Sequence, residues 1–420
     1  MNSVQNVNDN RCSSVIAYAY LFWFFVVLDS FFIWNRFEGI IRVLAGGVVV
    51  LASLYYHRQK MLQLSVKDFT AFFFLLLYYL WLTVCMDDNI FKLIGRAAAF
   101  VPLLLVLFWP YEHLLDIYNR FRKIIVFFAI GSTIVSIIAF TGLLESLPYF
   151  VLDARSSLHE RLGIEYHIYG LFLINHGALD FFRACGMLQE PGHFAIILGF
   201  VYMTDRLLGN RVSAWIVICG IFTFSSAFFL LVFVTEFFSI TNRRKLYIVI
   251  ASVLGFLALL GVIYLCLSSD IQDQIKYLAY ERNLEDVVSA GSLNDALDER
   301  TNVAGNEILK RINSSNIWTG LNVKDETVVL SDYRGVIVQT GLIGLFFLSV
   351  AGLFTTRGLS FRKKCPLLFF LFLVLIHRSW MYGSPYMFAM SYWATCSILA
   401  SQTNEQSIAE PCQSIAEPCN

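Results

Sequence analysis

The residues best suited to chemistry stand in one short stretch, "RACGMLQEPGHFA", which opens a long apolar run. Pro191 has no amide hydrogen and suits the first position of a helix, which predicts that Glu190 caps that helix. A helix start carries a partial positive charge and free amide groups, so it attracts anions, phosphates in particular. Because Arg183 lies just before it and Gly186 allows a turn between them, we predict an anion-binding corner. The alternative is an ion pair of Arg183 with Glu190 that only closes the helix end.

The composition is that of a membrane protein. Of 420 residues 57% are hydrophobic, 15% are charged and 39 are Phe, which is far from the average of soluble domains. Apolar runs of about twenty residues recur along the chain, and each could cross a hydrocarbon core of about 30 Å as a helix. We therefore predict an all-α polytopic membrane protein, embedded in a lipid bilayer. Lys plus Arg and Asp plus Glu both total 31, so the net charge does not suggest a nucleic-acid partner.

One apolar stretch, 212–240, is too long for one crossing and has basic flanks, "DRLLGNR" and "NRRK". Under the positive-inside rule both flanks lie in the cytoplasm, which predicts two short helices joined near Ser225 and Ser226. With this pair the chain has about twelve transmembrane helices, in a range of about ten to twelve. The other predicted spans are 14–34, 40–56, 69–85, 91–109, 124–143, 187–204, 246–267, 336–355, 366–382 and 385–400.

The distribution of charge predicts the orientation. The connectors "HRQKMLQLSVK", "NRFRK" and "RGLSFRKK" are basic, whereas the long segment 268–335 holds 12 acidic and 7 basic residues. Both chain ends are therefore predicted in the cytoplasm, with the long segments facing outward. The predicted division is helices 1–5 in 1–143, an outer loop at 144–186, helices 6–9 in 187–267, a large outer loop at 268–335, helices 10–12 in 336–400 and a cytoplasmic tail at 401–420 that repeats QSIAEPC.

The two outer loops are long enough to carry function. In the first, we predict that residues 169–182 form an amphipathic helix along the membrane interface. The histidines at 159, 167 and 176 have no compact ligand spacing, and the nine cysteines show no paired pattern, so no metal site and no cofactor is predicted.

In the second outer loop, residues 295–312 are predicted to be helical, with Arg300 and Arg311 as candidate anion contacts. Arginine binds phosphate groups through two parallel hydrogen bonds, and basic residues are the minority in this loop. The alternative is a solvated helix face with charges three and four residues apart.

Two motifs resemble the O-antigen polymerase and ligase superfamily. One is R-x-x-G-x-x-x-E-P at 183–191, opening a helix. The other, within 318–346, has a glycine, a polar doublet with Tyr333 and the helix start "GLIGL". The resemblance implies a glycosyltransferase of the GT-C class in the bacterial inner membrane. Such enzymes act on undecaprenyl-diphosphate-linked oligosaccharides at the periplasmic face, and a chain-length regulator is the protein partner that it implies.

Within that superfamily the sequence favours a polymerase of oligosaccharide repeat units. Ligases carry a histidine late in the second loop, whereas 268–335 has none and reads "SDYRG" near its end. This stretch resembles the aspartate version found in polymerases, which makes Tyr333 a candidate substrate-binding residue. The ligase remains one alternative.

A transporter (flippase) of the lipid-linked unit is the other alternative. It would place ionisable residues inside the bilayer along a path. The chain has only a few such residues in or near its spans, and two long outer loops suit a surface enzyme better. The candidates are Asp29, Arg42, Arg96 and Glu236.

An acceptor hydroxyl must lose its proton during glycosyl transfer, so the enzyme needs a base. The helix start and Arg183 would both weaken Glu190 as a base, and we assign it to orienting that corner. Asp332 is the predicted base, its alternative role being the N-cap of the helix that begins near Gly335. His193 is the reserve, because the helix start disfavours its cation.

Arg378, at the end of the span 366–382, is a further candidate for binding substrate. The alternative is that its side chain only extends its charged group to the membrane interface.

Overall fold

The computed structural model describes residues 2–28, 38–59, 66–86, 90–152, 165–176, 182–188, 190–240, 303–321, 334–377 and 386–413, with the single residues 247, 265 and 272. Helices account for 78% of the described residues. The fold is therefore mostly helical, as predicted, with one small sheet that the sequence analysis did not anticipate.

The helices follow the apolar runs. Numbered along the described chain, they are α1 Asn2–Val27, α2 Glu38–Gln59, α3 Val66–Met86, α4 Ile90–Val106, α5 Tyr111–Phe140, α6 Pro191–Leu208, α7 Ala214–Phe222, α8 Ser226–Ser239, α9 Val303–Lys310, α10 Arg334–Thr355, α11 Phe361–His377 and α12 Tyr386–Gln413. Every predicted span overlaps one of these helices except 246–267, which lies outside the described residues apart from two single positions.

Within the described residues, two helices are both long enough and apolar enough to cross a membrane, Tyr111–Ala139 and Arg334–Thr355. Further apolar helical stretches are shorter, between 10 and 17 residues. They are Ser14–Val27, Ile40–Tyr55, Phe69–Cys85, Leu93–Val106 and Ser226–Ser239.

The helical pair predicted within 212–240 is present. α7 ends at Phe222 and α8 begins at Ser226, so the turn lies where the sequence placed it. α9 confirms part of the helix predicted at 295–312.

Helix α5 begins earlier than predicted, at Tyr111 instead of 124. Its polar first part stays helical because its charges find partners there. Arg120 Nε lies 2.8 Å from Asp116 Oδ2, one helical turn away, and Arg122 Nε lies 2.6 Å from the Asp205 carboxylate of α6.

The prediction of an amphipathic helix at 169–182 is wrong. This part of the chain contributes to an antiparallel sheet of four strands in the order β1-β2-β3-β4: Phe150–Leu152, Glu165–Tyr169, Phe172–His176 and Phe182–Gly186. Aromatic and β-branched residues fill these strands and favour extended backbone. Gly170, with φ of 64°, is the first residue of a two-residue turn that pairs Tyr169 with Phe172.

The sheet packs on the second half of α5. The Phe172 ring lies so close to α5 that a Cβ added at Gly131 would stand 1.9 Å from it. Further along the hairpin, Tyr169 and Ile174 join a small buried cluster with Val135 and Ala139. The β2–β3 hairpin therefore lies along α5, with its turn directed toward the middle of that helix.

Aromatic side chains fill the core between α1, α5 and α12. The Phe24 and Trp393 rings have centroids 4.5 Å apart, and Phe121 lies 5.6 Å from each of them. These ring contacts hold the three helices together in this part of the core.

Helix α10 is broken at Gly341, which has φ of 66° and ψ of −176°. The segment before α10 fills the break with backbone hydrogen bonds. Leu342 and Ile343 donate to the carbonyls of Ile317 and Trp318, at 2.9 and 3.2 Å, and Leu321 donates to the Val338 carbonyl at 2.7 Å.

A side chain from α3 also binds at the break: the Trp81 indole N–H donates to Thr340 O at 2.7 Å. Glycines make the approach possible. A Cβ at Gly341 would stand 2.1 Å from the Trp318 carbonyl oxygen, and one at Gly320 would stand 2.8 Å from the Val338 oxygen. The "GLIGL" motif is thus the point where α10 resumes after its break.

We predict that Gly341→Ala destabilises the protein more than Gly142→Ala. Both glycines have positive φ, and Gly341, with ψ of −176°, lies in a region that essentially only glycine adopts, which costs another residue about 1–3 kcal/mol. A Cβ at Gly142 meets nothing within 4 Å. Only Gly341→Ala also drives a methyl group into backbone. Thermal unfolding in detergent measures the difference, and equal midpoints for the two variants would contradict the packing of 317–321 into the break.

Candidate functional site

Arg183 lies in β4 and binds the turn between α7 and α8. Its Nε donates to the carbonyl of Thr223 at 3.0 Å and its Nη2 to that of Phe224 at 3.2 Å. These carbonyls stand at the C-terminal end of α7, where carbonyls have no partner within the helix and a cation is favoured. The half-buried guanidinium therefore fixes the sheet to the α7–α8 pair.

Gly186 ends β4 and directs the chain toward α6, as the sequence predicted. Its φ is 62°, and a Cβ there would stand 2.5 Å from the ring of Phe194. Since the Phe194 side chain is completely buried in the first turn of α6, the ring has little room to move. The glycine thus brings the strand that carries Arg183 directly against the start of α6.

Glu190 occupies the N-cap position and Pro191 the first helical position, as predicted, but the Glu190 carboxylate does not cap α6. Glutamate has a longer side chain than the residues that cap well, which are Asn, Asp, Ser and Thr. The Glu190 carbonyl accepts from the His193 amide at 3.0 Å, in addition to the ordinary first helical bond from Phe194 at 3.1 Å.

This backbone geometry changes the predicted anion corner. A helix start can offer an anion up to four amides, but two of them are lost here: Pro191 has no amide hydrogen, and the His193 amide donates to the Glu190 carbonyl. An anion at this corner would therefore find fewer amides than at an ordinary helix start, and Arg183, in the neighbouring strand β4, is a cation that could contribute.

His193 is 3% exposed, and its Nε2 is hydrogen-bonded to the hydroxyl of Tyr386. The two rings are also stacked, with centroids 5.6 Å apart. Tyr386 is the first residue of α12, so this contact joins the starts of α6 and α12. An imidazole held in this way has a fixed orientation, which is what a proton acceptor needs.

Sequence reasoning missed Tyr386 and the carbonyls of Thr223 and Phe224. The sequence does indicate a helix start near Tyr386, because Pro385 comes directly before it and proline favours the first turn of a helix. Pro191 indicates the start of α6 in the same way. No sequence pattern indicates the role of the two carbonyls, since every residue has a backbone carbonyl.

Two ion pairs join the C-terminal end of α6 to helices α5 and α8. Asp205 is completely buried, accepts from Arg122 and accepts from the Tyr118 hydroxyl at 2.9 Å. Next to it, Arg206 Nε lies 2.6 Å from Glu236 Oε1 of α8. Glu236, weighed in the sequence as an in-membrane charge, thus joins two neighbouring helices.

The remaining predicted residues lie elsewhere. Arg311 is exposed just after α9, in the segment that goes on to pack on α10 and α3, rather than beside β4. Arg300, Asp332, Tyr333 and Arg378 lie outside the described residues. Within the described ranges, no three His, Cys, Asp or Glu side chains are grouped as metal ligands.

We compared the chain with protein-family models, with curated proteins and with solved structures, and nothing matched.

We predict that Gly186→Ala lowers stability more than Gly170→Ala, although both glycines lie in the sheet with nearly equal positive φ. A Cβ at Gly170 meets nothing within 4 Å, whereas one at Gly186 would press into the Phe194 ring. Overpacking of this kind costs about 1–3 kcal/mol beyond the backbone strain. The measurement is the thermal unfolding midpoint of each purified variant. A smaller loss for Gly186→Ala would mean that β4 does not pack on α6 as described.

Proposed function

We propose that this protein is a polymerase of undecaprenyl-diphosphate-linked oligosaccharide repeat units, of the O-antigen type, in the bacterial inner membrane. The supporting observation is that the starts of α6 and α12 and the α7–α8 turn lie beside β4, at the N-terminal end of α6 and α12. They bring a half-buried arginine and a buried histidine into neighbouring segments there. In this proposal that end faces the periplasm, and the chain crosses the membrane about twelve times with both termini in the cytoplasm.

The reaction needs few groups. The acceptor hydroxyl attacks the anomeric carbon of the donor sugar, the bond from that carbon to the diphosphate oxygen breaks, and undecaprenyl diphosphate leaves. The hydroxyl proton passes to a base. Because the donor carries its own activation, the proposal requires no nucleotide and no cofactor.

Arg183 is proposed to stabilise the diphosphate leaving group. Its two bonds to backbone carbonyls hold the guanidinium in place before substrate arrives, and a preorganised cation stabilises developing negative charge best. The base is proposed to be Asp332, with His193 as the reserve and Tyr386 as the group that would orient its imidazole.

Transport of the lipid-linked unit is supported less well. Of the charges that the sequence analysis weighed for a transport path, Glu236 pairs with Arg206, and Arg96 donates to the Leu82 carbonyl at 3.2 Å. Such pairs join neighbouring helices and do not need a substrate to compensate them.

We predict that Arg183→Lys abolishes most of the polymer ladder in a strain that lacks the chromosomal copy. Lysine keeps the charge but cannot donate to the two carbonyls and, in the proposal, to a phosphate at the same time, as a planar guanidinium can. Arg357→Lys is the matched control, since Arg357 is exposed and contacts only the Phe354 ring among its described contacts. It should leave the ladder unchanged.

Protein amount and unfolding midpoint are measured for both variants, because Arg183 also fixes the α7–α8 turn. If the ladder of Arg183→Lys falls only in proportion to the amount of inserted protein, Arg183 is a structural contact and not part of the site.

We predict that Asp332→Asn removes the polymer at normal protein levels. Asn and Asp cap helices about equally well, so the substitution spares a capping role and removes a base. If the variant makes a full ladder, Asp332 is not the base, and His193→Gln becomes the decisive variant. The ladder is read by gel electrophoresis of lipopolysaccharide.

A further inference from the structure

The turn between α7 and α8 contains an unusual backbone conformation. Phe224 has φ of 46°, and within the residues that the structure describes it is the only residue other than glycine with a positive φ. A bulky side chain in this left-handed region is strained, because its Cβ crowds a neighbouring carbonyl oxygen. Such strain persists only where the surrounding structure fixes it. The contacts of the turn must therefore hold Phe224 in this conformation.

The short reversal of the chain accounts for the strain. α7 ends at Phe222 and α8 begins at Ser226, so only three residues form the turn. The two helices are close together beside it, since a Cβ added at Gly220 would stand 2.3 Å from the Phe228 ring. A turn this short between helices this close leaves its middle residue, Phe224, few conformations.

Hydrogen bonds to α7 fix the chain up to the strained residue. The Phe224 amide donates to the Ile221 carbonyl at 2.9 Å. Thr223, which is completely buried, donates from its amide to the Cys219 carbonyl at 3.1 Å and from its hydroxyl to the Gly220 carbonyl at 2.6 Å. Because the amide of Phe224 is held in place, rotation about its φ decides where its carbonyl points.

That carbonyl points at Arg183. The Arg183 Nη2 donates to the Phe224 carbonyl at 3.2 Å, and its Nε donates to the Thr223 carbonyl at 3.0 Å. Two acceptors on one planar guanidinium fix both its position and the direction of its plane. With an ordinary negative φ at Phe224, the second carbonyl would turn away, and the Thr223 carbonyl alone would leave the guanidinium free to rotate.

We infer that Phe224 is a positioning residue, whose left-handed backbone directs a carbonyl at Arg183 and so sets the orientation of the guanidinium toward a diphosphate group. This rests on the proposed function in one respect, that Arg183 meets the diphosphate. It goes beyond it by assigning the orientation of Arg183 to the backbone conformation of a residue in another segment. A cation that is oriented in advance stabilises developing negative charge without a reorganisation cost.

The matched variants are Phe224→Asn and Phe224→Ile. Both remove the half-buried aromatic ring. Asparagine is among the residues that adopt left-handed backbone most readily, whereas the β-branched isoleucine is nearly excluded from it. Isoleucine is, however, closer to phenylalanine in apolar character. A backbone role therefore ranks asparagine above isoleucine, and a packing role of the ring ranks them the other way.

The variants are compared after reconstitution in phospholipid vesicles with the lipid-linked repeat unit. The values measured are kcat, KM and the inhibition constant for inorganic diphosphate, which does not depend on the fraction of protein that is folded. We expect Phe224→Asn to remain close to the wild type in all three. Phe224→Ile should lower kcat by about tenfold or more, because a displaced catalytic group has effects of at least that order. It should also raise the inhibition constant several-fold.

Any result in which Phe224→Asn is not closer to the wild type than Phe224→Ile overturns the inference and leaves the proposed function standing.

A double-mutant cycle of thermal unfolding midpoints tests the same contact without the reaction. Arg183→Lys is combined with each Phe224 variant. Where the carbonyl of residue 224 has already turned away, the loss of the guanidinium should cost less stability, so we expect a smaller effect of Arg183→Lys in Phe224→Ile than in Phe224→Asn. If the wild type forms no polymer, the proposed function fails and this cycle alone decides: equal effects of Arg183→Lys in the two variants overturn the inference.

Discussion

The structure depends on the need to pair every backbone polar group that lies away from water. Helices meet it by themselves, and three places where the described chain is not helical show how it is met there. At the sheet, neighbouring strands supply the partners. At the α7–α8 turn, Arg183 bonds the carbonyls of Thr223 and Phe224. At the break in α10, the segment 317–321 and the Trp81 indole do so.

The same constraint shapes the candidate site. At the start of α6, Pro191 lacks an amide hydrogen and the His193 amide is used by the Glu190 carbonyl, so in the proposal side chains carry much of the recognition of an anion. Arg183 serves both purposes in the proposal, because the bonds that satisfy the α7–α8 turn also fix its guanidinium. His193 is likewise held by Tyr386. If the proposal holds, a change at either residue disturbs structure and chemistry together, and only matched variants separate the two.

Much of the helical framework could be predicted from the sequence, since long apolar runs and basic flanks are local signals. They located the α7–α8 pair, and Pro191 located the start of α6. The sheet was missed because aromatic residues in 165–186 suit an amphipathic helix as well as strands, and the choice is made by packing on α5 around Gly131. The break in α10 and the contact of His193 with Tyr386 join residues far apart in the sequence, which no local pattern encodes.

The central claim is that the chain extends lipid-linked glycans, and reconstitution tests it most directly. Purified protein in phospholipid vesicles is given undecaprenyl-diphosphate-linked repeat units from the strain of origin, and the lipid-linked products and free undecaprenyl diphosphate are measured together. The account predicts a ladder of longer lipid-linked oligomers, with one undecaprenyl diphosphate released for each new glycosidic bond. Repeat units that move between the leaflets without any extension or release would contradict it.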